Sequence, residues 1–194
     1  MTEPPPRIEL TDPKALRAYA HPTRLRLVAL LRREGPLTAT QAGERIGESP
    51  ASASFHLRQL AKYGFVEEAG GGRGRERPWR SSAAITSWAN VGDTPEFSAA
   101  SDLLSRVIVE GHFEQALTWL DAKADEPHEW QEAAALGDMG FYATAEELAE
   151  LGRDVQALLE ERLGRLGDPT VRRPGTRMVS VVYLGFPVEP LPGE

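Results

Sequence analysis

The stretch Ser49-Pro50-Ala51-Ser52-Ala53-Ser54-Phe55-His56-Leu57-Arg58-Gln59-Leu60-Ala61-Lys62-Tyr63-Gly64 decides how the rest of the chain is read. Ser49 before Pro50 is a helix start, because a serine oxygen can accept from open backbone N–H groups and proline is tolerated at the first helical position. Gly64 is a helix stop. Between them Ala53, Leu57, Leu60 and Ala61, together with Gly64, fall on one side at helical spacing. The opposite side carries Ser52, Phe55, His56, Gln59 and Lys62, with Ser54 and Arg58 on its flanks. An ordinary surface helix would place Glu and Lys there. Small hydroxyls let a backbone lie close to another polymer, and Ser, His, Gln and Arg hydrogen-bond to phosphates and base edges. The pattern predicts the second helix of a helix-turn-helix, seated in a major groove.

Downstream, Phe65 to Ala69 is expected as a strand, Gly70 to Pro78 as a tight tip holding Arg73, Arg75 and Arg77, and Trp79 to Ala83 as the return strand. A Gly-rich tip with three arginines cannot bury those charges, but it can reach a phosphate backbone or a minor groove. Upstream, Thr38-Ala39-Thr40-Gln41 opens the first helix of the pair, with Ala42 and Ile46 inward and Gly47-Glu48 as the turn. Thr38 is expected to cap that helix, which does not prevent it from also touching a phosphate. Leu37 is expected to add a short strand to the hairpin. Further back, Leu25, Leu27, Val28, Leu30 and Leu31 define a helix capped by His21 or Thr23, with Arg24, Arg26, Arg32 and Arg33 on its other face. His21 reads as a cap or a packed ring rather than a site.

The strings AHPTRLRLVALL, GPLTATQAGERIG, SPASASFHLRQLAKYGFVEE and GRGRERPWR together resemble the ArsR-type bacterial winged helix-turn-helix repressors, over roughly residues 12 to 85. The resemblance implies a sequence-specific DNA-binding transcriptional regulator, a repressor acting as a homodimer on a palindromic operator. On that reading Ser52, Ser54, Phe55, His56, Arg58 and Gln59 read or abut the groove, with Phe55 against thymine methyls. Thr38, Thr40, Gln41, Arg73, Arg75 and Arg77 hold phosphates. The helix that starts at Thr11 or Asp12 before Pro13 helps to form the dimer in that family.

The net charge of −7 would argue against a polyanion if it were uniform. It is not: residues 1–90 hold 14 Lys and Arg against 9 Asp and Glu, whereas residues 91–194 hold 8 against 20. Polyanion binding follows the local field, so the basic first half is expected to face DNA and the acidic second half to stand clear. An apolar share of 41% supports a packed core. The absence of cysteine excludes disulfides and thiolate metal sites. No apolar run approaches a membrane span, and Met1 to Pro6 does not read as a signal peptide, so a cytoplasmic protein with no membrane partner is expected.

The expected architecture is mainly α with small β. Residues 1–10, with three consecutive prolines, read as a flexible tail. Residues 11–87 form the winged helix-turn-helix DNA-binding domain, and 88–95 a linker. Residues 96–194 hold a long dimerisation helix and a small α+β C-terminal unit. The long helix runs from Glu96 to Lys123, with Leu103, Leu104, Val107, Ile108, Phe113, Leu117, Trp119 and Leu120 recurring at helical spacing. A short helix follows over Pro127 to Leu136 with Trp130 inward. Gly137 to Ala143 has strand character. Thr144 to Glu147 is a capping box opening a helix to about Leu166, with Leu148, Leu151, Val155, Leu158, Leu159 and Leu163 inside. Thr176 to Phe186 is the strongest strand signal in the chain.

Other chemistries are weighed against this reading. Metal sensing on the long helix would need His112 paired at i+3 or i+4, where Gln115 and Ala116 stand, and Glu110 and Glu114 do not share its face. No metal site and no cofactor are therefore expected. No nucleophile elbow or convincing carboxylate pair appears, and the Gly70–Gly74 run lacks the strand and helix of a phosphate-binding loop, so no enzyme is expected. Most aromatics, among them Trp88, Phe97, Phe113, Trp119, Trp130, Phe141, Tyr142 and Phe186, lie in the second half. They read as core, or as the lining of a pocket for a small-molecule effector. The rival reading from a different class is a winged-helix protein-interaction module whose acidic C-terminal domain binds a partner.

Overall fold

A computed structural model of the chain describes residues 6–71, 77–167 and 173–188. The fold is mainly helical with two small sheets. Strand β1 (Arg7–Leu10) leads into helices α1 (Pro13–Tyr19), α2 (Pro22–Glu34), α3 (Ala39–Ile46) and α4 (Pro50–Lys62). Strands β2 (Val66–Glu68), β3 (Trp79–Ser81) and β4 (Ile85–Trp88) follow, then the long α5 (Pro95–Ala122), a short 3-10 turn, α6 (His128–Ala133) and α7 (Ala145–Gly167).

Each early helix begins where its capping chemistry sits. Asp12 accepts from the Lys14 N–H, the His21 ring from the Thr23 N–H, and Ser49 from the Ser52 N–H, and a proline holds the first position of all three helices. Thr38 and Gln41 cap α3 reciprocally. The turn between α3 and α4 depends on two glycines. Gly47 takes φ +71°, a left-handed conformation that disfavours side chains, and a Cβ on Gly43 would stand 2.7 Å from the Glu48 carbonyl oxygen. With Gly43 bare, α4 packs closely across α3.

Leu57 and Leu60 of α4 join Leu16, Leu27, Val28 and Leu31 of α1 and α2 in one core. Phe65 is fully buried there and stacks on Tyr19 with ring centroids 4.5 Å apart. Strands β2 and β3 pair antiparallel, with Glu68 opposite Trp79, and Leu37 bridges to Trp79 as a third, one-residue strand.

Several expectations are corrected. Residues 7–10 are not part of a loose tail. They pair in parallel with β4, Arg7 to Leu10 against Ile85 to Trp88, and Leu10 enters the core. The alternation in Arg7-Ile8-Glu9-Leu10 is a strand signal that the prolines before it mask. Residues 88–95 do not separate distinct cores either. Trp88 ends β4, and Phe97, Ala100 and Leu104 of α5 pack into the same core as α1 and α2.

The β portion of the C-terminal unit is absent among the described residues: neither 137–143 nor 176–186 forms a strand. The later segment lies instead against α7, where the Tyr183 hydroxyl donates to the Gly152 carbonyl at 3.3 Å. A helix satisfies its own backbone groups and offers no ladder, so β-favouring side chains alone cannot make a sheet there. The capping box at Thr144 and Glu147 forms as expected. Leu148, Val155 and Leu159 of α7 are only half-buried, and Leu151 and Leu158 are exposed. Leu163 falls outside the described side chains.

Candidate nucleic-acid interface

The N-terminal end of α3, one flank of α4 and the base of the β2–β3 hairpin converge on an open cleft of about 670 Å³. Thr38, Thr40, Gln41, Ser54, Arg58 and Arg77 line it, so six of the residues singled out in the sequence come together. Arg58 is exposed and its guanidinium donates to the Ser54 hydroxyl at 2.6 Å, one turn back. That contact holds the cation along the helix rather than letting it sweep. Among the described residues no carboxylate pairs with it.

Gln41 and Thr38 are both used in the cap. The Gln41 side-chain oxygen accepts from the Thr38 N–H at 2.9 Å, and the Thr38 hydroxyl accepts from the Gln41 N–H at 3.2 Å. The side-chain NH2 of Gln41 and the proton of the Thr38 hydroxyl remain as donors, pointing to an anion at a helix N-terminus. Thr40 is exposed beside them.

The hairpin carries less free charge than its composition suggests. Arg77 pairs with Glu68 at 3.0 Å, and Arg80 pairs with Glu67, its cross-strand neighbour, at 2.7 Å. Both pairs are exposed, so each holds its arginine only weakly and can exchange a carboxylate for a phosphate. Arg73 and Arg75 lie outside the described residues.

Ser52, His56 and Gln59 lie on the other flank of α4, away from the cleft, and the first two are already engaged. The Ser52 hydroxyl donates to Glu48 at 2.8 Å, and the Thr23 hydroxyl donates to the other oxygen of the same carboxylate at 3.1 Å. These two bonds hold the Glu48 carboxyl below the usual range. The His56 ring lies 4.6 Å from the His21 ring, and its Nδ1 accepts from Arg24 Nε at 3.4 Å. Burial lowers the pKa of both histidines; the cationic Arg24 lowers it further, as does His21 for His56. Ser52 and His56, expected to read or abut the groove, thus also dock α4 onto α2 and the turn, and both stay half-buried. Glu48 stands only four residues before Ser52, but Thr23, His21 and Arg24 reach this group only through the fold, where local spacing gives no sign of them.

Phe55 faces outward, 49% exposed, with its ring edge-on to His56 at 5.2 Å. An apolar ring that exposed on a docked helix is available to a partner. Two further residues stand on the same outward row as Phe55 and Arg58: Ala51 and Lys62. Neither was among the sequence candidates, although their spacing of four from Phe55 and Arg58 marks them. Glu44 and Trp79 also line the cleft.

Residues 19–69 match a family model described as a helix-turn-helix domain. The match runs from the end of α1 through α2, α3 and α4 to the residue after β2. No curated protein matches the chain. No helix among the described residues is long and apolar enough to cross a membrane. The chain thus carries a helix-turn-helix domain, a module that supports DNA binding in transcription regulation.

Proposed function

We propose that a chain built on this helix-turn-helix domain is a sequence-specific DNA-binding transcriptional regulator of ArsR type, acting as a homodimeric repressor on a palindromic operator. The observation that carries the reading is the shared cleft. Small hydroxyls, an amide and two guanidinium groups from three separate elements face one open surface. In a winged helix docked on a duplex, the exposed row of α4 enters the major groove, the α3 terminus meets a phosphate and the hairpin follows the backbone.

Dimerisation is supported by α5. Leu103, Phe113, Leu117 and Leu120 form an exposed apolar row along it, Leu117 at 60% exposure. A row of that kind on a long helix suits a second copy of itself. The dimer would set two reading helices about one DNA turn apart, roughly 34 Å, which is why a palindrome is expected. The test is fluorescence anisotropy of the purified protein against a duplex selected from a random pool and against scrambled DNA, across a salt series. Tighter binding to the selected duplex with a steep salt slope supports the reading; equal binding to both, or none, defeats it.

The paired hairpin arginines favour one rival, a winged-helix module that binds protein rather than DNA. On that reading the Arg77–Glu68 and Arg80–Glu67 pairs stay closed and heparin does not retain the protein. Retention that disappears when Arg73, Arg75 and Arg77 are neutralised excludes the rival.

A further inference from the structure

A second cleft, of about 570 Å³, lies between the β1–β4 sheet, α5, α7 and residues 181–184. Ile85 and Trp88 of β4 and Ile108 and Val109 of α5 line it from the DNA-facing half. Leu159 of α7 and Val182 line it from the C-terminal half. Its size is that of a small-molecule site, within the roughly 300–1,000 Å³ such sites occupy. Its apolar walls are not closed over: Val182 remains 43% exposed.

The polar groups at its edge satisfy one another. Glu160 accepts from Arg7 and, at 2.7 Å, from Gln156. Those two donors hold the Glu160 carboxyl low, so it stays ionised and cancels the Arg7 charge. No unpaired ion is left among these groups to select a charged ligand, while Gln156 and His112 keep hydrogen-bonding capacity. The outward row of α5 used for the dimer (Leu103, Phe113, Leu117) lies away from Ile108 and His112, while Val109, four residues before Phe113, borders it, so pairing through the row leaves the Ile108 and His112 side of the cleft open.

We propose that this cleft is a binding site for a neutral, largely apolar small molecule, held between β4, α5 and α7. The cleft also touches the path to DNA. Strand β4 follows the return strand of the hairpin and leads directly into α5, so a ligand that ties α7 to β4 would bias how the hairpin is held. That regulatory consequence rests on the DNA-binding reading; the site itself does not.

The test uses the full chain and Nile red, a neutral, flat, apolar dye. Saturable binding with quenching of Trp88 emission is expected. Ile108→Trp and, from the opposite wall, Leu159→Trp fill the cleft and should each weaken binding about tenfold or more while circular dichroism is unchanged. Leu117→Ser, further along the outward row and beyond the cleft, should leave dye binding intact. Absence of saturable binding, binding that survives both filling variants, or binding lost in Leu117→Ser instead would overturn the site. Repeating the DNA titration with dye present separates the two claims. A shift in DNA affinity of about threefold or more that Leu159→Trp abolishes supports coupling. No shift, in a protein that binds both dye and DNA, overturns coupling alone. Failure to bind DNA at all counts against the DNA reading and not against the site.

Discussion

The two halves of the chain solve the problem of apolar surface differently. Every buried hydrophobic residue among those described lies between Leu10 and Leu104. Beyond Leu104 the chain still forms two long helical stretches, but their leucines, valines and aromatics are exposed or half-covered, Phe113 at 54% and Leu158 at 58%. Helix α5 belongs to both regimes: its first turns are core and its last turns are surface. The first half is thus stabilised by its own packing. The second half gains its shape from caps and helix propensity, and its apolar faces await other material.

The largest expected effect tests that contrast directly. Leu57→Ala empties a fully buried position between α4, α2 and α1 and should cost about 3–4 kcal/mol of folding stability. Leu158→Ala should cost less than about 0.5 kcal/mol, as exposed positions do. Thermal unfolding followed by circular dichroism compares them, and similar losses would erase the distinction between the halves.

A somewhat smaller effect is expected at the seam. Arg32 donates to the Ala83 carbonyl at 2.9 Å and to the Thr86 hydroxyl at 2.6 Å, fixing β4 to α2. Arg32→Met keeps the stem and removes both bonds, with an expected loss of about 1.5–3 kcal/mol. Hydrogen exchange should show the Ile85–Trp88 amides losing protection before those of α4. Uniform loss across both would mean the seam has no separate stability.

The third comparison is within the interface. Arg58→Ala should weaken the preferred duplex by about 1–3 kcal/mol and blunt discrimination, whereas Arg77→Ala should weaken all duplexes alike and flatten the salt slope. Anisotropy titrations on matched and scrambled DNA distinguish the two, and identical profiles would remove the division between groove-facing helix and backbone-facing hairpin.

The smallest effect is acid sensitivity confined to the first half. His21 and His56 both have pKa values below the ordinary 6.5, so the unfolded chain takes up protons at a higher pH than the folded one. Their contribution to stability is complete above pH 6.5 and is lost as pH falls through the lowered folded values. Protonation also removes the Nδ1 lone pairs that accept from Thr23 and Arg24. His56→Gln should flatten the melting temperature against pH below 6.5, and an unchanged slope would show that the pair does not titrate with folding.

Much of the first half is legible in order. Ser49-Pro50 and Thr38 with Gln41 mark helix starts through chemistry confined to four residues, and Leu57 and Leu60 mark the buried side through spacing alone. Six of the residues singled out by their chemistry line the α3–α4–hairpin cleft, but that three elements meet there is written in no single stretch. Ser52 and His56 look like reading residues by spacing; Ser52 also bonds Glu48 in the turn four residues before it, and His56 meets Arg24 and His21 from a distant part of the chain. Residues 7–10 and 85–88 escape notice as a pair because a parallel ladder between segments nearly eighty residues apart leaves no local mark. The strand expected at 176–186 fails for the converse reason: its side chains favour a sheet, but the fold brings a helix beside it.

The sequence by itself determined where helices begin and end, which face of each is apolar, and that positive charge gathers in the first ninety residues, since all of these follow from neighbours along the chain. Only the tertiary structure decided which polar side chains of α4 remain outward, where the hairpin arginines find carboxylates, and that α5 joins the core at one end and leaves a cleft at the other. Those outcomes depend on which surfaces meet, and contact between distant segments is fixed by packing of the whole, not by any stretch read alone.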